Sequence, residues 1–217
     1  MKPIEDTKDS ADRPPIVALT GDGHCEKKIL NALAHRYDGH DRTLLLPTKP
    51  PPIGAERRTI GRFSGLSAFQ VIKTYVSRFK FTQYLVILDI EHFTGDHSQE
   101  DMRIEIERAL ENFGFLEHNV VSLNDRAYRV KCRVGAHLLR MNTVVSGFGK
   151  RVEENISELL KLEHGLDVRA DKGAIRNALN QLNLDLHDLL TNCSDRNLST
   201  AFKGLVAALL DFENQDC

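Results

Sequence analysis

Two short segments place acidic side chains directly behind apolar runs, an arrangement that can hold a hard divalent cation. The first is "IVALTGDGHCEKKIL", residues 16–30, where Gly21 and Gly23 break the apolar run and Asp22 and Glu26 follow. The second is "LVILDIEHF", residues 85–93, where Asp89 closes a run of branched apolar residues and Glu91 stands two positions on. Converging carboxylates raise one another's pKa unless a cation joins them, and oxygen donors with open water positions suit Mg²⁺ or Mn²⁺. Each acid also has a plainer explanation. A carboxylate in the first turn of a helix gains roughly 0.3–1 kcal/mol from the helix dipole, which accounts for Glu26. Asp commonly opens turns, which accounts for Asp89. At the level of the sequence both readings stand.

Other chemistries fit the same segments less well. A Walker loop needs a glycine directly before Lys and then Ser or Thr, but Lys27 follows Glu26 and precedes Lys28. A dinucleotide fingerprint needs a small residue where Glu26 stands, and a carboxylate there would face the pyrophosphate. "EHFTGDH" adds His92, Asp96 and His97 beside the second acidic pair, either as solvated loop residues or as partners of a transition metal. Cys25, at a helix start, is a candidate for a lowered thiol pKa, although no base accompanies it.

The elements that must position these groups follow from apolar spacing. Ile16–Thr20 reads as a buried strand, with a helix over 25–37 behind it, and "RTLLLP" as a second strand. The prolines of "PTKPPPIG" make a loop. Ala68, Val71, Ile72, Tyr75, Val76 and Phe79 share one helical face, and the unbroken run at 84–90 reads as a strand covered on both sides. Ser98 is placed to cap a helix carrying Met102, Ile106, Ala109, Leu110 and Phe113. Strand and helix alternate to about residue 114, which predicts an α/β fold with a mainly parallel central sheet flanked by helices. Thereafter "AYRVKCRV" alternates with period two and predicts an antiparallel strand, and "NTVVSGFG" a further strand. Three helices follow, over Val152–Leu160, Ile175–Leu189 and Leu198–Leu210 by their leucine spacing.

In an open parallel sheet, functional groups gather beyond the carboxyl ends of the strands, where Asp22 and Asp89 both belong. "DGHCEKKIL" resembles the acidic turn that opens TOPRIM-like domains, especially those of OLD-family nucleases and their small relatives. "LVILDIE" resembles the later strand ending in their Asp-x-Asp motif. The resemblance covers about residues 16–114. Asp22 stands where the family usually has Glu, and Glu91 where it usually has Asp. Both exchanges keep the charge and move the carboxylate by one methylene, which would retune metal binding or mark a domain without activity. The resemblance implies a TOPRIM-like, Rossmann-like core that transfers phosphoryl groups on nucleic acid with Mg²⁺ or Mn²⁺, as a nuclease. Asp22, Glu26, Asp89 and Glu91 would hold the metal, with Glu26 and Asp89 as the catalytic groups. The alternative is a non-catalytic TOPRIM-like binding or regulatory module.

DNA or RNA as partner rests on basic residues. From 126 to 151 there are seven Lys or Arg and no acid. Arg129, Lys131 and Arg133 line one strand face, which could track a phosphate backbone or simply be solvated and deter edge pairing. Arg57, Arg58 and Arg62 offer further phosphate contacts. The net charge of −2 argues against wholesale coating of nucleic acid. The 217 residues, 41% hydrophobic, are enough for one core: a flexible tail over 1–15, the α/β core over 16–125, and C-terminal strands and helices over 126–217 packed on the same domain. Four dispersed cysteines form no CxxC pair, and no apolar run approaches the roughly 18 residues of a membrane helix. These features predict a cytoplasmic protein without a membrane partner and carry no signal for oligomeric state.

Overall fold

The computed structural model describes residues 1–4, 15–20, 24–37, 43–46 and 65–214. Asp22, the prolines at 47–52, Arg57, Arg58 and Arg62 lie outside the described residues. Among the described residues seven strands form one sheet: β1 (Lys2–Ile4), β2 (Ile16–Thr20), β3 (Thr43–Leu45), β4 (Gln83–Asp89), β5 (Leu116–Asn124), β6 (Ala127–Val134) and β7 (His137–Ser146). Their spatial order is β1-β3-β2-β4-β7-β6-β5. The first four pairings are parallel and the last two antiparallel, so the expected mainly parallel sheet with an antiparallel extension is present. β2 and β4 are direct neighbours, with Thr20 opposite Ile87.

Among the described residues eight α-helices cover it: α1 (His24–Arg36), α2 (Ala68–Phe79), α3 (Gln99–Asn112), α4 (Glu153–His164), α5 (Lys172–Gln181), α6 (Leu186–Asn192), α7 (Asp195–Ala201) and α8 (Lys203–Glu213). Ile16, Ala18, Leu85, Ile87 and Val144 face one core with α1 and α4 to α8. Val17, Leu19, Tyr84, Val86 and Leu88 face the other with α2 and α3. Because β4 is covered on both sides, its sequence cannot alternate, and burying each large apolar side chain contributes roughly 1.5–3 kcal/mol. From β2 the chain steps outward to β3 on one face, then returns by the opposite face to β4 on the other side of β2. The switch point of the sheet therefore falls between the carboxyl ends of β2 and β4.

Local signals explain most boundaries. Ser98 accepts the Asp101 backbone N–H at 3.1 Å, as its placement predicts. α2 stops when Lys80 turns left-handed (φ 57°), which leaves Phe79 outside the core and stacked on Phe81 at 5.6 Å. Among the described residues no helix is long and apolar enough to cross a membrane.

Several expectations are corrected. Lys2–Ile4 is not part of a flexible tail but a strand paired with β3, and Met1 is buried; residues 5–14 lie outside the described residues. Leucine spacing predicts one helix through Ile175 and Leu189. The chain breaks there because Asn183 is left-handed (φ 53°) and Asp185 opens α6 with a reciprocal capping box. The last predicted helix likewise divides into α7 and α8 at Phe202. The boundary at 125/126 cuts the β5–β6 hairpin, whose strands continue the same sheet through β7.

The basic strand face has an unexpected partner. Asp211 of α8 accepts from Arg129 Nε at 3.1 Å, Arg140 Nη2 at 3.0 Å and Asn142 Nδ2 at 3.0 Å. Burial pushes the Asp211 carboxyl up, but these donors outweigh it and hold the group below its ordinary value. Asp211→Ala removes the anion on which two guanidinium groups and a fully buried amide converge. Its expected cost is roughly 3 kcal/mol in urea denaturation, and a change near zero would show that the network contributes nothing net.

Candidate metal centre

Asp89 closes β4 at the switch point. It has the same strand parity as Leu85 and Ile87 and so faces the side that carries α1 and α4. A 3-10 turn over Ile90–His92 follows at once and folds Glu91 and His92 back towards it. One donor atom each from Asp89, Glu91 and His92 lie within 4.8 Å of one another. Gly65, at φ 60°, backs the imidazole: a Cβ there would stand 2.8 Å from His92 Cβ, so only glycine lets the ring sit in this place.

The loop after β7 fixes the acids from the other side. Val152 N–H donates to Asp89 Oδ1 at 3.2 Å, and Glu91 N–H donates to the Lys150 carbonyl at 3.1 Å. Local contacts hold the loop in place. Gly147 is left-handed (φ 84°), and a Cβ on it would meet the Arg151 nitrogen at 2.6 Å. Glu154 accepts the backbone N–H groups of Phe148 and Gly149 at 2.7 Å and of Lys150 at 3.0 Å. Burial pushes the Glu154 carboxyl up, and these donors more than reverse it. Asn155 accepts the Gly147 N–H at 2.7 Å and donates to the Ala201 carbonyl at 2.6 Å, tying the turn to the helical layer.

Two more carboxylates come from the first turns of helices. Glu26 of α1 is 8% exposed and Glu153 of α4 is 4% exposed. Burial pushes the Asp89 carboxyl up to about 7. The charge of Glu26 adds to this, the Val152 N–H opposes it, and Glu91 and Glu153 add smaller increments. Glu153 is partly balanced by Lys172, 3.6 Å away. An anionic group held this far above its ordinary range is what a bound cation would relieve.

Of the sequence-predicted metal set, Asp89, Glu91 and Glu26 share this electrostatic environment, and Asp22 lies outside the described residues. His92 belongs to the cluster, whereas Asp96 is exposed and His97 Nε2 sits 3.1 Å from the Phe93 carbonyl. Cys25 does not have a lowered pKa. Burial and then the charges of Glu153 and Glu26 push it up to about 12 against the pull of Lys172 and Lys28, which leaves an inert thiol. Sequence reasoning missed Glu153. Its signal was a second apolar run followed by Gly-x-Gly and an acid, "VVSGFGKRVEE", similar to "ALTGDGHCEKK" but with the acid four rather than three residues after the second glycine. Arg129, Lys131 and Arg133 do share one face of β6. Arg129 is bound to Asp211, Arg133 pairs with Glu117 at 3.3 Å, and Lys131 is exposed. Comparisons with protein-family models, curated proteins and solved structures find no match for this chain.

Proposed function

We propose that this protein is a divalent-metal-dependent nuclease with a TOPRIM-like core. The observation that carries the reading is the convergence of Asp89, Glu91 and His92 at the switch point, with Glu26 and Glu153 buried beside them. Two carboxylates and an imidazole fit Mn²⁺ well and Mg²⁺ through the oxygens alone. Asp89, Glu91 and His92 would hold the ion, which supplies Lewis-acid polarisation of a phosphate and charge stabilisation in the transition state. The Val152 N–H holds Asp89 Oδ1, which restricts the rotamers of the carboxylate. Glu26 serves as a further ligand or as the base that takes the proton of the attacking water. Lys131 acts as a point charge on the strand backbone.

A single observation favours a second reading, a binding or regulatory module without chemistry: Asp211 neutralises Arg129 and thins the basic face. Labelled single- and double-stranded DNA and RNA, incubated with protein and Mg²⁺, Mn²⁺ or Ca²⁺, separate the two. The nuclease reading expects cleavage with Mn²⁺ and Mg²⁺ and poor cleavage with Ca²⁺, whose looser shell orients phosphate and water less strictly. No cleavage with any ion leaves the module. His92→Ala should lower Mn²⁺-supported activity several-fold more than Mg²⁺-supported activity, because imidazole suits Mn²⁺ better. Equal losses with both ions would take His92 out of the ligand set.

A further inference from the structure

Beside the acidic cluster lies a second feature that the metal chemistry does not use. A cavity of about 530 Å³ opens between α1, α4 and α5, within the range of small-ligand sites. Ile156, Ile175, Leu179 and Leu186 give it an apolar floor, and Lys28, Lys172 and Arg176 stand around it. Lys172 and Arg176 are four residues apart on α5 and so share a face. Among the described residues no carboxylate pairs with Lys28 or Arg176, and both side chains are exposed. Two acids also line the cavity. Glu153 is nearly buried and faces Lys172, and Asp185 is engaged by the Asp188 backbone N–H at 2.8 Å. Three basic side chains against two acidic ones leave the lining with a cationic excess. Glu153 links this cavity to the metal centre, because it lines the former and its charge reaches Asp89.

We propose that this cavity is a nucleotide subsite, with a phosphate held by Lys28, Lys172 and Arg176 and the base laid against Ile156, Ile175 and Leu179. An apolar floor with a cationic rim suits an anion joined to a flat, weakly polar body, and Arg176 can meet phosphate oxygens with two parallel N–H donors. Among the described residues no aromatic side chain lines the cavity, so the base is held by apolar contact rather than stacking. The inference deepens the nuclease reading: a terminal nucleotide seated here would bring the adjoining linkage towards Asp89. A free mononucleotide presents the same chemistry.

The test uses the full chain in EDTA, so that its outcome does not depend on metal. Titration calorimetry is run with the four ribonucleoside 5′-monophosphates, the matching nucleosides, inorganic phosphate, and trinucleotides with and without a 5′-phosphate. At least one monophosphate should bind, at least tenfold tighter than its nucleoside or phosphate alone. Arg176→Ala, a change at an exposed helix position, should weaken it at least tenfold without altering the melting temperature. Asp89→Asn should bind it as wild type does, which separates failure of the metal site from failure of this one. A 5′-phosphorylated trinucleotide that binds tighter than the monophosphate identifies the ligand as a strand end, and the reverse identifies a free nucleotide. No binding of any phosphorylated probe at millimolar concentration, or equal affinity of wild type and Arg176→Ala, overturns the proposal.

Discussion

Asp89→Asn lowers metal-supported cleavage roughly 100-fold or more while the protein stays folded. The size follows from what the substitution removes. The Val152 N–H that now donates to Asp89 Oδ1 at 3.2 Å can donate equally to an amide oxygen, so the loop over 147–152 keeps its anchor. Only the ligand charge is lost, from a carboxyl that burial and the surrounding acids push up to about 7. Losing one charged ligand costs metal affinity on the order of 10–100-fold, and losing an interaction that strengthens in the transition state adds to it. Glu91→Gln should be milder, because Glu91 is exposed and water can take its place. Purified wild type and both variants are compared on labelled substrates at one Mn²⁺ concentration and again at tenfold higher. Partial recovery at the higher concentration assigns the loss to metal binding. Equal activity of wild type and Asp89→Asn would place the chemistry elsewhere or in a contaminant.

The parts of this arrangement that can be read from sequence are those fixed within one element and its turn. β4 shows itself by an unbroken apolar run, β6 by strict alternation, α3 by Ser98 and its apolar stripe, and the acids at 26, 89 and 91 by standing where strands end and helices begin. Long-range pairing hides the rest. β5 buries only Val120 among its nine residues, because it is an edge strand whose register shifts near both its ends, so no periodicity marks it. β1 is three residues long and held by β3, which follows some forty residues later. Glu153 reaches Asp89 only because β7 pairs with β4, across more than fifty residues of chain. Arg129 is indistinguishable from Lys131 in the strand pattern, yet α8 brings Asp211 to one and not to the other. The leucines at 179, 182 and 186 continue a helical stripe across a break that a single left-handed Asn183 creates.

In chelator, the stability of the wild type relative to Asp89→Asn falls as pH rises from about 4 to about 7. The unfolded Asp89 titrates near 3.8 and the folded one near 7, so within that window the folded state holds a proton that the unfolded state has released. Stability then decreases with pH, since its slope follows the protons bound by the unfolded state minus those bound by the native state. The contribution is fully present below about 4 and gone above about 7. At 1.36 kcal/mol per pH unit the whole shift would correspond to about 4 kcal/mol. Asp89 is only partly buried, and screening by solvent reduces this to roughly 1–2 kcal/mol. Asp211, held below its ordinary value, gives the opposite slope, but it does so in both proteins and cancels from the difference. Mn²⁺ should reverse the effect, because it binds the deprotonated ligands of the folded state and stabilises that state by about 2.7 kcal/mol at a hundred times its Kd. Melting temperatures of both proteins, measured from pH 4.5 to 8.5 in EDTA and in Mn²⁺, give the result. The Mn²⁺-induced rise should grow with pH in the wild type and be largely absent in Asp89→Asn. Parallel pH profiles in EDTA, together with equal Mn²⁺ shifts, would mean that Asp89 neither carries the raised pKa nor binds the ion.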